Sequence, residues 1–259
     1  MSISGTIKGA ALPFYKWIYD AVMGNKESRY LYYRLAVFLS TRGIAPLLAP
    51  SASSVKERWR RQGQDSAADN PATYAVEDAS VRELFRDVFP CLGKDSRILE
   101  IGCNAGRSLN YLYKNGFRNL TGVEIGPEAV ELMKTAFPEA YRGSTIIVGD
   151  ASDAVKRFKE GEFDLVFCHS VLVNIHPRYN HIFRDMARIS RKFVLILENE
   201  GSCTAYPRDF KRLFEKEGLK MVAFRVLAGA DAAIPAPFED RHIYVNNTIR
   251  LFVKDKSSF

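Results

Sequence analysis

Two glycines, an asparagine and two acids occur at spacings that suit the binding of a ligand. Gly102 and Gly106 enclose Cys-Asn-Ala, and glycine lets a backbone approach a ligand closely. Asn104, between them, is the residue type other than glycine that best tolerates a left-handed conformation. Glu124 comes later, where an acid can accept hydrogen bonds from a ribose diol, and Asp150 can accept from an adenine amine or cap the next helix. Together these residues indicate a nucleoside site.

Three further side chains are candidates for removing a proton from a reacting group. His169 directly follows an apolar run, His176 comes seven residues later, and Glu200 follows the next apolar run. Histidine has an ordinary pKa of about 6.5, which suits base chemistry near neutral pH. His169 is also a candidate for contacting the nucleoside or the group that reacts with it.

From about residue 76 the chain alternates short apolar runs with stretches of helical periodicity. Such alternation predicts parallel strands with right-handed helical crossovers. Two late strands, joined by a loop over 227–247, predict an antiparallel edge. Ligands of such sheets bind beyond the carboxyl ends of the strands. The predicted strands cover 97–101, 120–124, 144–148, 163–168, 193–197, 220–226 and 248–253, and the helices cover 77–89, 105–115, 127–136, 151–159, 178–190 and 207–217.

The glycine spacing argues against two common nucleotide-binding motifs. A dinucleotide fingerprint needs a third glycine inside the helix, and here Arg107 follows Gly106 directly. A phosphate-binding loop of the G-x-x-x-x-G-K-[ST] type is absent from the sequence.

Residues 76–254 resemble the class I S-adenosylmethionine-dependent methyltransferases. Residues 98–106 resemble the first motif of that family, and residues 163–170 resemble its fourth-strand motif. The resemblance implies a seven-stranded, mostly parallel, doubly wound sheet with an antiparallel edge strand, and S-adenosylmethionine as cofactor. Transferred onto this sequence, it predicts cofactor contacts from Glu100, Gly102, Cys103, Asn104, Gly106, Glu124, Ile125, Asp150, Ala151 and His169, to which Tyr74 is added because it lies within chain reach.

Asn104 replaces the middle glycine of the usual first motif, as in a bacterial subgroup linked to surface-saccharide or other small-molecule modification. That subgroup commonly has Glu-His where this chain has Val173-Asn174. The resemblance implies in-line displacement at the sulfonium methyl group. No Asn-Pro-Pro-Tyr motif of amino-methylation follows the fourth strand, which favours an oxygen of a small molecule as acceptor. An RNA acceptor, a lipid-linked acceptor, and a binding protein without catalysis remain alternatives.

The N-terminal part differs from the rest in charge. Residues 1–75 hold ten basic and five acidic side chains, whereas residues 76–259 hold 27 and 25. We predict an N-terminal helical extension or lid over 1–75, with helices at 13–23 and 27–41 and a linker at 50–72, followed by the catalytic domain over 76–259. The aromatic helices of the extension either pack on that domain, line a hydrophobic acceptor pocket, or dock on an anionic membrane through residues 1–50. Trp59, Arg61 and Tyr74 lie within chain reach of the cofactor site.

Composition bounds the partners and the compartment. An isoelectric point of about 9.2 permits nucleic acid, but no recognised binding module is present, so a nucleic-acid partner is not expected. The four cysteines form no C-x-x-C pair, which fits a reducing compartment. No secretory or membrane-spanning segment is recognised, and we expect a cytoplasmic protein without a metal site. The oligomeric state is left open.

Overall fold

The computed structural model describes residues 26–61, 70–76, 78–199, 206–227 and 247–254. The predicted helix at 13–23, the candidate base Glu200 and most of the loop 227–247 lie outside these residues. No helix among the described residues is both long and apolar enough to cross a membrane.

Seven strands form one sheet in the order β3-β2-β1-β4-β5-β7-β6. The pairs β1–β2, β1–β4, β2–β3 and β4–β5 are parallel, whereas β7 is antiparallel to both β5 and β6. The seven-stranded class I methyltransferase fold is thereby confirmed. The strands are β1 (Ile98–Ile101), β2 (Leu120–Glu124), β3 (Ser144–Val148), β4 (Phe163–His169), β5 (Ser190–Asn199), β6 (Leu219–Leu227) and β7 (Asn247–Lys254).

The described α-helices flank this sheet or precede it. Several begin at a residue whose side chain caps the first turn, as Ser51, Asp78 and Asp150 do. The helices are α1 (Lys26–Thr41), α2 (Ala52–Arg60), α3 (Ala79–Phe85), α4 (Arg107–Lys114), α5 (Pro127–Ala136), α6 (Pro138–Arg142), α7 (Ala151–Ala154), α8 (His181–Ile189) and α9 (Phe210–Lys216).

The sheet is buried on both faces, which explains the continuous apolar runs of its central strands. All four residues of β1 are buried, and so are the first six of β4. One core lies on the side of α8 and α9 and includes Phe183 and Phe214. The other lies on the side of α3 and α4 and includes Phe85 and Leu109. Together the two cores hold the central strands in place.

The strand order sets where a ligand can bind. The chain moves outward from β1 through β2 to β3, and β4 then pairs with the other side of β1. The turns that follow β1 and β4 therefore diverge and leave a crevice at the carboxyl ends of these two strands.

The main difference from the sequence prediction lies in the segment expected to be a linker. Residues 52–60 form α2, whose N-cap Ser51 accepts a hydrogen bond from the Ser54 N–H at 3.2 Å. The basic residues of this segment share the helix with the apolar Val55 and Trp59, which face the protein. The helix predicted at 27–41 is confirmed as α1, and helix α6 was not predicted.

Candidate active site

The turn after β1 depends on three residues with left-handed backbone conformations. Gly102, Asn104 and Gly106 have φ angles of 70°, 46° and 79°. The turn is closed by a hydrogen bond from the Gly106 N–H to the Cys103 carbonyl, at 2.8 Å. A side chain on Gly102 would also collide with Val171, because its Cβ would lie 2.5 Å from the Val171 Cγ2. The turn therefore needs glycine here for both conformation and space.

Glu124, at the end of β2, is bound to this turn. Its Oε2 accepts the N–H of Asn104 at 2.8 Å, and its Oε1 accepts the N–H of Gly126 at 2.7 Å. The side chain is almost fully buried and lines the pocket. Each carboxylate oxygen can accept more than one hydrogen bond. These two N–H groups thus fix the orientation of the carboxylate at the pocket.

A second acid, Glu100, lies in the floor of the pocket within β1. It is buried, and its Oε2 has no hydrogen-bond partner among the described residues. Burial raises the pKa of Glu100 well above its ordinary value. A buried polar atom without a partner on a pocket wall indicates that a ligand or water supplies the missing hydrogen bond.

Asp150 follows β3 and has two structural partners. Its Oδ1 caps α7 by accepting the N–H of Ser152 at 2.8 Å, and its Oδ2 pairs with the Lys56 Nζ at 2.5 Å. Burial alone would raise the pKa of Asp150, but the hydrogen bonds from Lys56 and Ser152 outweigh it and hold that pKa below its ordinary value. The Lys56 ammonium also lies 4.0 Å from the centre of the Tyr179 ring. Helix α2 thereby contributes directly to this end of the pocket.

Tyr74 reaches the pocket from the short helical turn Pro71–Tyr74. Its ring lies 5.6 Å from the guanidinium carbon of Arg107, whose Nη1 pairs with the Asp78 Oδ2 at 3.0 Å. Arg107 begins α4 directly after the glycine turn. The predicted position of Tyr74 beside the site therefore depends on Arg107, which we did not predict as a site residue.

His169 is the last residue of β4 and lies on the pocket wall. Burial, reinforced by the positive charge of Arg107, lowers the pKa of His169 to about 4. The ring is therefore neutral at physiological pH. Its Nδ1 is buried and has no hydrogen-bond partner in the described part of the chain. His169 thus presents an uncharged imidazole whose polar edge lacks a protein partner.

His176 also lines the pocket, but its ring is hydrogen-bonded to the neighbouring backbone. Its Nδ1 accepts the N–H of Arg178 at 3.2 Å and caps the helical turn Pro177–Tyr179. A neutral ring that accepts at Nδ1 carries its proton on Nε2. The lone pair that a general base needs is therefore used in the cap.

The segment after β4, residues 170–176, is held from two sides. The buried Glu198 carboxylate accepts the N–H groups of Val171 at 3.0 Å, Leu172 at 2.9 Å and Val173 at 3.2 Å. Arg208, also buried, donates to the carbonyls of Leu172 at 2.7 Å and of Ile175. The Glu198 side chain thus holds the N–H groups of this segment, and the Arg208 side chain holds its carbonyls. Together they fix the pocket wall formed by Val171 and Ile175.

One pocket brings most of the predicted residues together. It extends from Asp150 past the glycine turn to His169 and His176, and its non-protein space is about 1030 Å³ including its open mouth. Gly106 lies at the start of α4 behind the turn. The predicted residues that line the pocket are Tyr74, Glu100, Gly102, Cys103, Asn104, Glu124, Ile125, Asp150, Ala151, His169 and His176.

Sequence reasoning missed the contributions of Lys56, Glu198 and Arg208. Lys56 stood out only as part of a basic cluster, and nothing local indicates that it reaches Asp150. Glu198 lies at the end of the fifth apolar run, but its role depends on backbone groups more than 20 residues away. These contacts follow from the tertiary fold and leave no local sequence signal.

Comparison with known proteins agrees with this geometry. Residues 99–196 match the model of a family described as a methyltransferase domain. The structure is similar to magnesium protoporphyrin IX methyltransferase from Synechocystis PCC 6803 with bound S-adenosylmethionine, at 16% identity and a TM-score of 0.53, over 79% of this chain and 93% of that one. A methyltransferase dependent on S-adenosylmethionine from Mesorhizobium loti gives 12% identity and a TM-score of 0.51, over 68% and 96%.

A third similar structure is a geranyl diphosphate methyltransferase in complex with GPP and sinefungin. It is 12% identical with a TM-score of 0.55, over 68% of this chain and 78% of that one. At these identities the structures establish the fold, and the family match adds the class of domain.

The chain has the class I methyltransferase fold, and its residues 99–196 match the methyltransferase domain family. The chain is accordingly a methyltransferase by its domain. S-adenosylmethionine is the molecule bound in the similar Synechocystis structure. The pocket fits this group, since Glu124 faces it with both oxygens oriented and Glu100 brings an unpartnered polar atom.

Proposed function

We propose that the protein methylates a hydroxyl oxygen of a small, largely apolar molecule. The observation that carries this proposal is that two polar atoms of pocket-lining side chains have no hydrogen-bond partner. Both the Nε1 of Trp59 and the Nδ1 of His169 are buried without a hydrogen-bond partner among the described residues, and both side chains line the pocket. Buried polar groups in proteins are nearly always satisfied, so a bound molecule is the natural partner.

At the cofactor end, the chain supplies orientation. The bound cofactor provides a methyl group on a positively charged sulfur, which is already a strong electrophile. We assign Glu124 to the ribose hydroxyls, Asp150 to the adenine amine and the glycine turn to the amino-acid part. Glu124 is held by the N–H groups of Asn104 and Gly126, and Asp150 by Ser152 and Lys56. Groups fixed in this way bind a ligand in one geometry without having to rearrange.

At the acceptor end, two segments contribute apolar side chains. Helix α2 contributes Ala52, Val55 and Trp59, and the segment after β4 contributes Val171 and Ile175. Such a wall excludes water from the reacting atoms and favours an acceptor with a hydrocarbon or aromatic body. The Trp59 N–H donates and the neutral His169 accepts, which matches a hydroxyl group because a hydroxyl does both.

His169 is the residue we assign to the proton of the acceptor. Its neutral ring would accept the hydroxyl proton at its unprotonated nitrogen while the acceptor oxygen bonds to the methyl carbon. The carbon–sulfur bond would break in the same step and leave S-adenosylhomocysteine, in which the sulfur is uncharged. Positioned general bases typically accelerate a reaction about 10²- to 10⁴-fold and work best with a pKa near the operating pH. Because the pKa of His169 is about 4, we expect an effect at the lower end of this range. His176 is the weaker candidate, because its Nδ1 accepts from Arg178.

The test is a screen of hydroxylated metabolites with a labelled methyl donor, followed by identification of the methylated atom by NMR. With an acceptor in hand, we expect His169→Asn to lower kcat at least 100-fold while S-adenosylhomocysteine still binds. The matched variant His176→Asn keeps a cap acceptor at that position and should lose far less activity. Equal losses in the two variants, or a product methylated on nitrogen or carbon, would contradict the assignment.

A further inference from the structure

We infer that the outer face of α1 docks on an anionic lipid surface. Three large apolar side chains lie on this face at helical spacing, Leu31, Leu35 and Phe38, and two more, Ile44 and Leu47, follow the helix. Each is at least 51% exposed. We call these five residues the outer stripe. Large apolar side chains grouped in this way on a surface mark a site of interaction.

The outer stripe is not the face by which α1 packs on the protein. Ala36 and Ser40, on the opposite side of the helix, are buried. The Ser40 carbonyl accepts the Asn180 Nδ2 at 2.8 Å, and the Thr41 hydroxyl accepts the N–H of Asp209 at 3.0 Å. The helix therefore has a second apolar face in addition to the one that holds it in place.

Cations accompany the outer stripe. The Arg42 guanidinium lies 3.5 Å from the centre of the Phe38 ring, and its Nη1 donates to the Phe38 carbonyl at 3.1 Å. Arg34 is exposed one turn before Phe38, with its guanidinium 5.9 Å from the centre of the Tyr30 ring. Aromatic rings beside arginines suit the boundary between lipid headgroups and acyl chains.

The wider charge distribution selects an anionic partner. Residues 26–61 contain eight basic and two acidic side chains, a surplus of six positive charges. Each lysine or arginine near an anionic leaflet contributes to attraction, and the attraction weakens with salt. A second copy of the chain docked on this face would bring two such basic segments together, which like-charge repulsion opposes.

The same segment that carries the outer stripe also carries the pocket wall. Helix α2 begins ten residues after Arg42 and places Val55, Lys56 and Trp59 in the pocket. Docking would therefore bring a pocket-forming segment to the lipid surface. If the proposed hydroxyl methylation holds, a lipid-borne acceptor follows from this placement, but the docking itself does not depend on that reaction.

The test is co-sedimentation of the full chain with vesicles of phosphatidylserine and phosphatidylcholine, compared with phosphatidylcholine alone. We expect binding to the anionic vesicles that falls at least tenfold in 0.5 M salt. Leu31→Gln with Leu35→Gln should weaken it at least tenfold, and so should Arg34→Gln with Arg42→Gln. The matched control, Val222→Gln with Val226→Gln, removes exposed apolar side chains from β6 and should bind like the wild type.

Three results would overturn the inference. The first is no binding to either kind of vesicle. The second is normal binding by the variant of Leu31 and Leu35, which would assign the contact to another part of the chain. The third is a dimer in sedimentation velocity that this variant abolishes, which would make the outer stripe an interface between copies. Calorimetry with S-adenosylhomocysteine on the same samples shows whether each variant keeps a folded pocket. The screen for a methylated hydroxyl tests the proposed function separately, without vesicles.

Discussion

Replacing Glu198 with glutamine is expected to remove most of the loss of stability that the wild type shows as the pH rises, while loosening the wall of its pocket. Burial raises the pKa of Glu198 from 4.5 to about 7, against the effect of its hydrogen bonds to the backbone of residues 171–173. The folded protein therefore holds this proton more tightly than the unfolded chain does. The contribution of protonated Glu198 to the free energy of unfolding is complete below about pH 4.5. It is lost as the pH rises through about 7.

The size of this effect follows from the two pKa values. The difference between 4.5 and about 7 corresponds to about 3 kcal/mol of unfolding free energy. Glutamine resembles the protonated acid and does not titrate. Urea unfolding followed by circular dichroism should thus show that the wild type loses about 3 kcal/mol more than Glu198→Gln between pH 4.5 and pH 8.

The same substitution should loosen the loop after β4, residues 170–176, at pH 8. At pH 8 the wild-type carboxylate accepts from Val171, Leu172 and Val173, whereas an amide has only one oxygen to accept these N–H groups. Hydrogen exchange of a peptide covering residues 170–177 should therefore be faster in Glu198→Gln. Glu139→Gln, an exposed position on α6, is the matched control. The reasoning is refuted if Glu198→Gln keeps the wild-type pH slope of stability or the wild-type exchange rate of this loop.

Three further variants test individual contacts of the pocket. Gly102→Ala should weaken S-adenosylhomocysteine binding at least tenfold in calorimetry, because φ is 70° and the new Cβ would lie 2.5 Å from Val171; unchanged affinity would count against the tight turn. Trp59→Phe keeps the ring but removes the N–H, so we expect a higher KM for a hydroxylated acceptor at unchanged cofactor affinity; an unchanged KM would remove Trp59 from the acceptor site. Lys56→Met removes the 2.5 Å pair with Asp150 and should speed hydrogen exchange across α2, whereas wild-type exchange would show that this pair does not hold the helix.

The sequence was most informative where the structure depends on local patterns. Helix α5 and strands β2 and β3 have the predicted bounds, because each apolar or helical run there is bordered by turn residues. The turn at Gly102 and Gly106 was predictable because few residues other than glycine adopt positive φ. Residues that follow parallel strands meet at one edge of the sheet, which placed Glu124, Asp150 and His169 in one pocket.

The contacts that were not predictable join distant parts of the chain. Lys56 meets Asp150 only because α2 folds back over the carboxyl end of β3. Arg208 supports the loop after β4 across more than 30 residues. Helix α2 was not predicted, because its basic residues and the polar residues around it are typical of a linker. Only the fold shows that Val55 and Trp59 pack against the pocket.

Calorimetric titration with S-adenosylhomocysteine tests the central claim most directly, since that claim is a nucleoside pocket organised by Glu124. We predict saturable binding to the wild type, weakened at least tenfold in Glu124→Ala, as expected for loss of a charged hydrogen bond worth more than about 1 kcal/mol. Glu131→Ala, which removes an exposed acid paired with Lys134, should bind like the wild type. No heat of binding at millimolar ligand, or equal affinity in wild type and Glu124→Ala, would contradict the account.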